Sequence, residues 1–379
     1  MRVGYDISSI FGRTGIGRYA RELLLHVLAD PQVRAILVGS AGERPVTTRF
    51  FGAPDTYEMR PLLTDETALG NLFRGLVRVR RARQIRRAFH GADVVHYLGP
   101  QKIFADHARV VSTVHDLIPL LPGFDVDAGL RARFPGMVAR QLQRSNAVVC
   151  PSAWVAGTVR EAFPWFTGPV HVTPLAAGAS FRPVPLSEAT ARRLAVGRPF
   201  VLFVGHIGVE RKNLARILRA WRGVDPRVRG ESEFLVVTDQ RPGAIDRFLR
   251  GAALDGGGAP VRFLTDVSTA ELVELLGAAL GLVFASQAEG FGLPILEAMQ
   301  CGCPVITSAT SSMPEVGGQA ALYCDPRREE SIEEAIARLL GDESLRRSLG
   351  DAGLARAREF SWEITARRTV EVYSSLVRA

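Results

Sequence analysis

The sequence predicts an α/β protein made of two doubly wound parallel-sheet units that face each other across a cleft. Three observations predict it. The chain has 379 residues, long for a single core. Short β-rich apolar runs alternate with longer segments of helical period, the pattern of layers around parallel sheets. That rhythm breaks once, over residues 174–193, where Pro174, Pro183 and Pro185 sit in a stretch with little strand or helix signal until its end. The expected division is 1–183 for the first domain and 184–360 for the second, with a C-terminal helix at 361–379 packing back on the first.

In order, the first half offers strands at RVGYDI, RAILVG, DVVHYL, RVVSTV, AVVCP and PVHVTP, with helices at 16–29, 68–90, 127–144 and 153–163 between them. After the proline-rich stretch the alternation restarts. PFVLFVG precedes a helix from about 213, EFLVVT a helix near 243, VRFL a helix from 268, and GLVFAS a helix from 294 that leads to CPVIT. WEITARRTVEVYSSLV has helical period and closes the chain. In doubly wound sheets ligands bind outside the carboxyl ends of the strands, so the cleft between the units is the natural place for chemistry.

Composition excludes several classes. Asp6 interrupts MRVGYDISSI before an apolar stretch develops, so no signal peptide is expected, and GAALGLVFA (277–285) is about half the length that crosses a bilayer. A cytoplasmic protein is expected. Cys150, Cys301, Cys303 and Cys324 form no CxxC pair and have no histidines at zinc spacing, which predicts buried thiols. The net charge of +8 is uneven: residues 1–186 carry +9 and the remainder −1. Much of the excess lies in the arginine-rich stretch 71–91, where Leu69, Leu72, Phe73 and Leu76 fall at helical spacing. Such a helix can lie on an anionic membrane surface or can be a solvated basic face. Nucleic acid is disfavoured, because no aromatic stacking pattern or recognised binding motif accompanies the charge.

Three loops invite an anion. Gly12, Gly15 and Gly17 precede the first helix, but in the order GxxGxG, the reverse of the dinucleotide fingerprint and without the P-loop lysine; a tight turn explains them as well. In FVGHIGVERKNL, Asn213 reads as an N-cap, which sets Arg211 and Lys212 beside the positive end of a helix, where cations cost about 0.3–1 kcal/mol each unless an anion intervenes. Lys212 stands out because the chain has only one other lysine, Lys102. In SQAEGFGLPILEAMQCG, Glu289 and Glu297 border the start of a helix, with Pro294 expected at its first position and Gly302 at its end. Free N–H groups there suit phosphate, and ionised carboxylates accept hydrogen bonds from hydroxyl groups. A nucleotide sugar has phosphate in the middle and hydroxyls on both flanks; a dipole-complementing Glu297 and a loop Glu289 are the structural alternative.

EGFGLPILEAMQCGCPVITS resembles the E-x7-E signature of the family 4 retaining glycosyltransferases, whose GT-B architecture is two facing Rossmann-like domains. TGIGRYARELL, VVSTVHDLIPLLPG, CPSAWVAGTVRE, VHVTPLAAGASFRP and VGHIGVERKNL agree in order, so the resemblance samples residues 1–330. It implies that Glu297 holds the ribose and Glu289 the hydroxyls of the donor sugar. Gly290, Phe291, Gly292 and Leu293 line the sugar and phosphate, and Arg211 and Lys212 neutralise the leaving diphosphate. Gly15 and Gly17 form the first domain's loop, and His115 sits beside the transferred sugar. His206 stands where many relatives have arginine, which questions part of the phosphate clamp. Asp125 and Asp127 imitate a metal-binding D-x-D by chance, and neither metal nor cofactor is expected. Versions of GIGRYARELL and HDLIP like these occur in bacterial polysaccharide mannosyltransferases, which implies GDP-mannose or a related GDP-deoxyhexose as donor and a lipid-linked glycan as acceptor, at the inner face of the cell membrane. The rival readings are a sugar-recognising or scaffolding protein at the membrane surface that has lost transfer, and an NAD-linked oxidoreductase. The latter is disfavoured by the glycine order and by the lack of an acidic partner about 20 residues on.

Overall fold

The computed structural model describes residues 1–7, 10, 15–40, 47, 50–51, 57–62, 83–100, 107–124, 126–254 and 258–378. They form two compact units, one of Met1–Leu120, Val126–Leu175 and Ser361–Ala379, the other of Leu121–Asp125 and Ala176–Phe360. Most of the arginine-rich stretch, residues 71–82, lies outside the described residues; its end is helical over 83–88.

The first unit holds a seven-stranded sheet of β1 (Arg2–Asp6), β2 (Arg34–Ser40), β3 (Tyr57–Leu62), β4 (Val94–Tyr97), β5 (Val110–Thr113), β6 (Ala147–Cys150) and β7 (Val170–Val172), in the spatial order β3-β2-β1-β4-β5-β6-β7. Every pair is parallel; Val3 of β1, for example, faces Ala35 of β2 on one side and Val94 of β4 on the other. All residues of β4, β5 and β6 are buried, as continuous apolar runs should be when helices cover both faces. Helix Gly15–Leu28 buries Tyr19, Ala20, Leu23, Leu24 and Val27, one stripe at helical spacing. The C-terminal helix Trp362–Arg378 belongs to this unit: it buries Trp362, Ala366, Val370 and Tyr373, and the Leu376 carbonyl accepts a 2.8 Å hydrogen bond from Arg109 Nε.

The second unit holds a six-stranded parallel sheet of β8 (Phe200–Val204), β9 (Glu233–Val237), β10 (Val261–Leu264), β11 (Gly281–Phe284), β12 (Val305–Ser308) and β13 (Leu322–Cys324), ordered β10-β9-β8-β11-β12-β13. Its core gathers Phe203, Ile217, Trp221, Phe234 and Ile336 on one side of the sheet. Helix Thr269–Ala278 starts with a capping box in which the Ser268 hydroxyl accepts from the Glu271 N–H while the Glu271 carboxylate accepts from the Ser268 N–H.

In each sheet the strand order reverses once, between β1 and β4 in the first and between β8 and β11 in the second. At such a reversal the loops leaving the two adjacent strands diverge to opposite faces and open a crevice at their carboxyl ends. The position of the second reversal matters most, because the loop after β8 carries Arg211 and Lys212 and the loop after β11 carries Glu289.

No helix among the described residues is long and apolar enough to cross a membrane. All four cysteines are buried and free, and burial pushes the thiols of Cys150, Cys301 and Cys324 up to about 12.

Candidate active site

The site grows out of local backbone constraints in the second unit. After β8, residues Glu210–Lys212 make one turn of 3-10 helix that ends at Asn213, whose φ of 64° is left-handed, and helix Leu214–Gly223 follows. The expected side-chain cap by Asn213 is not made. Its Nδ2 donates instead to the carbonyls of Ala285 (2.9 Å) and Pro326 (2.7 Å), which ties the turn to the loop after β11. The left-handed backbone departs from the extended geometry of a capping residue, the side-chain oxygen accepts from Arg216 Nη1 at 2.6 Å instead, and the two buried carbonyls gain the donors they need. The tie is reinforced by the Gln287 N–H donating to the Arg211 carbonyl at 2.8 Å.

The loop after β11 enters helix Leu293–Gln300 through Gly292 at φ 106°, a conformation open to glycine and costly for other residues. The helix starts one residue earlier than expected, at Leu293, which puts Pro294 in the second position; Gly302, at φ 75°, ends it as expected. The loop is braced from behind. Ser312 Oγ donates to the carbonyls of Glu289 (2.7 Å) and Phe291 (2.9 Å), and Ser311 Oγ accepts from the Glu289 N–H at 3.1 Å. Of the five non-glycine residues with left-handed φ among the described residues, two, Asn213 and Ser311, flank this loop. Backbone strain gathers at functional sites, and here it accompanies the candidate one.

These two loops bring three charges together. Glu289 is 7% exposed; its Oε2 lies 2.9 Å from Arg211 Nη1 and its Oε1 2.7 Å from Lys212 Nζ. Arg211 Nη1 also donates to the Ala288 carbonyl at 3.1 Å, and the Lys212 ammonium lies 4.8 Å from the centre of the Phe284 ring. Burial, the strongest influence on Glu289, pushes its pKa up; the charges and hydrogen bonds of Lys212 and Arg211 outweigh it and hold the carboxyl below the usual range. Within this contact group two cations face one carboxylate, and the N-terminus of helix Leu293–Gln300, which begins four residues after Glu289, adds its own partial positive charge. Such a site attracts an anion.

Glu297 occupies the fifth position of helix Leu293–Gln300 and is 4% exposed, so it is a buried carboxylate and not a surface charge. Phe291 and Gly292 are buried, and Gly290 and Leu293 are partly so. His206 is exposed; its Nδ1 accepts from the Gly208 N–H and its Nε2 lies 2.8 Å from the Gln240 amide nitrogen, so its neighbours are Gly208 and Gln240.

Gly15, Gly17 and His115 lie in the first unit. Gly15 and Gly17 are not loop residues: they are the first and third residues of helix Gly15–Leu28, and Gly12 lies outside the described residues. First-turn N–H groups have no intrahelical partner, so glycines there leave donors open to an approaching group. His115 follows β5. Its Nε2 donates to the Leu98 carbonyl at 2.8 Å, which leaves Nδ1 as the acceptor nitrogen, and burial pushes its pKa down. Its ring meets Tyr19 edge to face at 4.8 Å between centroids.

Tyr19 ends a buried polar chain that the sequence did not disclose. Tyr5 Oη donates to Tyr373 Oη (3.1 Å), which leaves the Tyr373 hydroxyl to donate to His96 Nδ1 (2.6 Å); His96 Nε2–H then donates to Thr113 Oγ1 (2.9 Å), itself 2.9 Å from Tyr19 Oη. Asp127 caps helix Ala128–Leu142 by accepting from the Leu130 N–H, and its partner in the apparent D-x-D, Asp125, lies outside the described residues. Among the described residues no group of three or more histidines, cysteines or carboxylates could hold a metal ion.

Two family models match in tandem: Glycosyltransferase Family 4 over residues 13–176 and Glycosyl transferases group 1 over residues 188–356. The "O-antigen chain mannosyltransferase B" of Escherichia coli is 44% identical over 116 residues, 31% of this chain and 30% of that one. The "Serotype-specific mannosyltransferase WbdA" of Escherichia coli is 27% identical over 278 residues, 72% of this chain and 34% of that one, so the match spans about a third of each relative's length. Among solved structures, sucrose-phosphate synthase of Thermosynechococcus elongatus superposes with a TM-score of 0.74 at 20% identity, covering 99% of both chains. Two parallel-sheet units with these matches define a glycosyltransferase of the GT-B fold. Within that class the chain belongs to glycosyltransferase family 4.

Proposed function

We propose that the chain is a retaining hexosyltransferase that moves mannose, or a related deoxyhexose, from a GDP-sugar to a growing lipid-linked polysaccharide or oligosaccharide. The observation that carries the reading is the cluster of Arg211, Lys212 and Glu289 beside the Gly292 helix mouth, at the reversal of the second sheet. Breaking a sugar–phosphate bond builds negative charge on the diphosphate. Fixed cations and a helix N-terminus already aimed at that charge lower the barrier without reorganising, usually the largest share of catalysis. Arg211 and Lys212 supply this stabilisation, so the reaction needs no metal ion. Glu297 takes the ribose hydroxyls, and Glu289 the hydroxyls of the transferred sugar. His115 accepts a hydrogen bond from that sugar through Nδ1. Retention follows from front-face attack, in which the acceptor oxygen forms its bond on the side that the diphosphate leaves and a phosphate oxygen takes the acceptor's proton.

The names of the Escherichia coli relatives support mannose as the sugar and an O-antigen-like glycan as the acceptor. A lipid-linked acceptor places the enzyme at the inner face of the membrane, where the arginine-rich stretch 71–91 would meet anionic headgroups. The test is a thermal-shift screen of nucleotide sugars, followed by diphosphate release from the best binder with candidate acceptors. GDP-mannose or a related GDP-sugar should bind and turn over in the presence of EDTA. Binding with no diphosphate release under any acceptor would favour the catalytically silent reading, and binding of none would refute the site.

A further inference from the structure

Glu289 uses the same two cations that the proposed diphosphate needs. Its two oxygens are divided between them, Oε2 to Arg211 Nη1 and Oε1 to Lys212 Nζ. Neither cation has an unlimited reach for other anions. Arg211 is tethered through Nη1 to the Ala288 carbonyl and through its own carbonyl to the Gln287 N–H, and the Lys212 ammonium is bracketed by Glu289 and the Phe284 ring. Glu289 is equally fixed, since Ser311 and Ser312 hold its backbone on both sides.

We infer that Glu289 is an internal counter-anion that competes with the diphosphate for Arg211 and Lys212, and so weakens the hold on the nucleoside diphosphate product. The inference rests on the donor site proposed above. While the sugar is attached, its hydroxyl groups engage the Glu289 carboxylate, which shares its negative charge with those donors and yields the cations to the diphosphate. Once the sugar has left, the carboxylate loses those hydroxyls and its only charged neighbours at contact distance among the described residues are the cations. It then reclaims them. A buried carboxylate so close to both cations is a strong competitor, because attraction between charges rises as water is excluded. One residue thereby favours the sugar-bearing donor over the spent nucleotide, which answers a general difficulty of catalysis: groups that stabilise a leaving anion also retain it as product.

The test is calorimetric titration of GDP and UDP into the wild type, Glu289→Gln and Glu289→Asp, with guanosine and uridine as uncharged controls. The Gln variant should bind the matching nucleoside diphosphate about tenfold or more tighter and release it more slowly, with nucleoside affinity unchanged; the Asp variant, which keeps the charge, should stay near the wild type. Glu289→Ala gives the same comparison should the Gln variant fail to fold. If the wild type binds a nucleoside diphosphate and removing the carboxylate leaves that affinity equal or weaker, the inference is overturned and the donor site stands. An Asp variant that binds as tightly as the Gln variant overturns it too, since shape and not charge would then be the cause. If none of the proteins binds either nucleotide, the donor-site reading fails and the inference fails with it.

Discussion

His96 should make the first unit acid-labile. Its imidazole is fully buried, with Tyr373 on one nitrogen and Thr113 on the other, and burial lowers its pKa from 6.5 to about 3, with the nearby His115 adding to the effect. The folded state therefore keeps His96 neutral over a range in which the unfolded chain takes up a proton. Its contribution is complete above pH 6.5 and is lost as pH falls from there toward 3. At 1.36 kcal/mol per pH unit, the loss is about 3 kcal/mol at pH 4.5 and about 4 kcal/mol at pH 3, where the folded imidazole is half protonated. The perturbation is His96→Gln, which can donate and accept but does not titrate in this range. Denaturant unfolding followed by far-ultraviolet circular dichroism, at pH 7 and pH 4.5, should show the wild type losing about 2–3 kcal/mol more than the variant. His115 and His171, whose pKa values burial also lowers, and the paired carboxylates remain in both proteins and largely cancel in the comparison. Parallel losses would mean that His96 is not held neutral and that the chain from Tyr5 to Tyr19 is wrongly drawn.

Other outcomes follow from the same geometry. Ser312→Ala removes the hydroxyl that serves the Glu289 and Phe291 carbonyls, and should cost about 1–3 kcal/mol of stability in denaturant melts while lowering transfer more than the stability loss explains. Gly292→Ala places a methyl group at φ 106° and 3.1 Å from Ile295 Cδ1; a loss of about 1–3 kcal/mol is expected, with the largest functional effect on donor KM because the helix mouth shifts. Sedimentation with vesicles rich in anionic lipid should show binding that weakens as salt rises, through residues 71–91; salt-insensitive binding, or none, would remove the membrane role.

Much of this architecture was legible because fully buried parallel strands leave uninterrupted apolar runs: VVHY, VVST, AVVC and GLVF are buried at every position. β3 was not legible. It is an edge strand, paired with β2 alone, and its sequence YEMRPL carries two charges and a proline that an edge tolerates and a central strand does not. The short β13 (LYC) and the helices Glu329–Gly341 and Glu343–Ala357 were also not anticipated; three residues give no period, and the helices follow the last motif that drew notice.

At the site, the spacing of Glu289 and Glu297 and the oddity of Lys212 singled out two loops that the fold brings into contact. Their mutual contact did not show, because Arg211 and Glu289 are 78 residues apart and meet only where β8 and β11 become neighbours. Ser311 and Ser312 left a faint signal, two small hydroxyls just past β12, the strand beside β11. Tyr5, His96 and Tyr373 left none: each reads as an ordinary core position, and only the fold brings them into one chain of hydrogen bonds.

The most direct measurement of the central claim is diphosphate release by Lys212→Ala beside the wild type, with circular dichroism to verify the fold. Lys212 lies in an exchangeable charge cluster and not in the core, so the variant should fold, bind donor weakly and turn over slower by two or more orders of magnitude. A folded variant that releases diphosphate at close to the wild-type rate would contradict the assignment of this cluster to the leaving group.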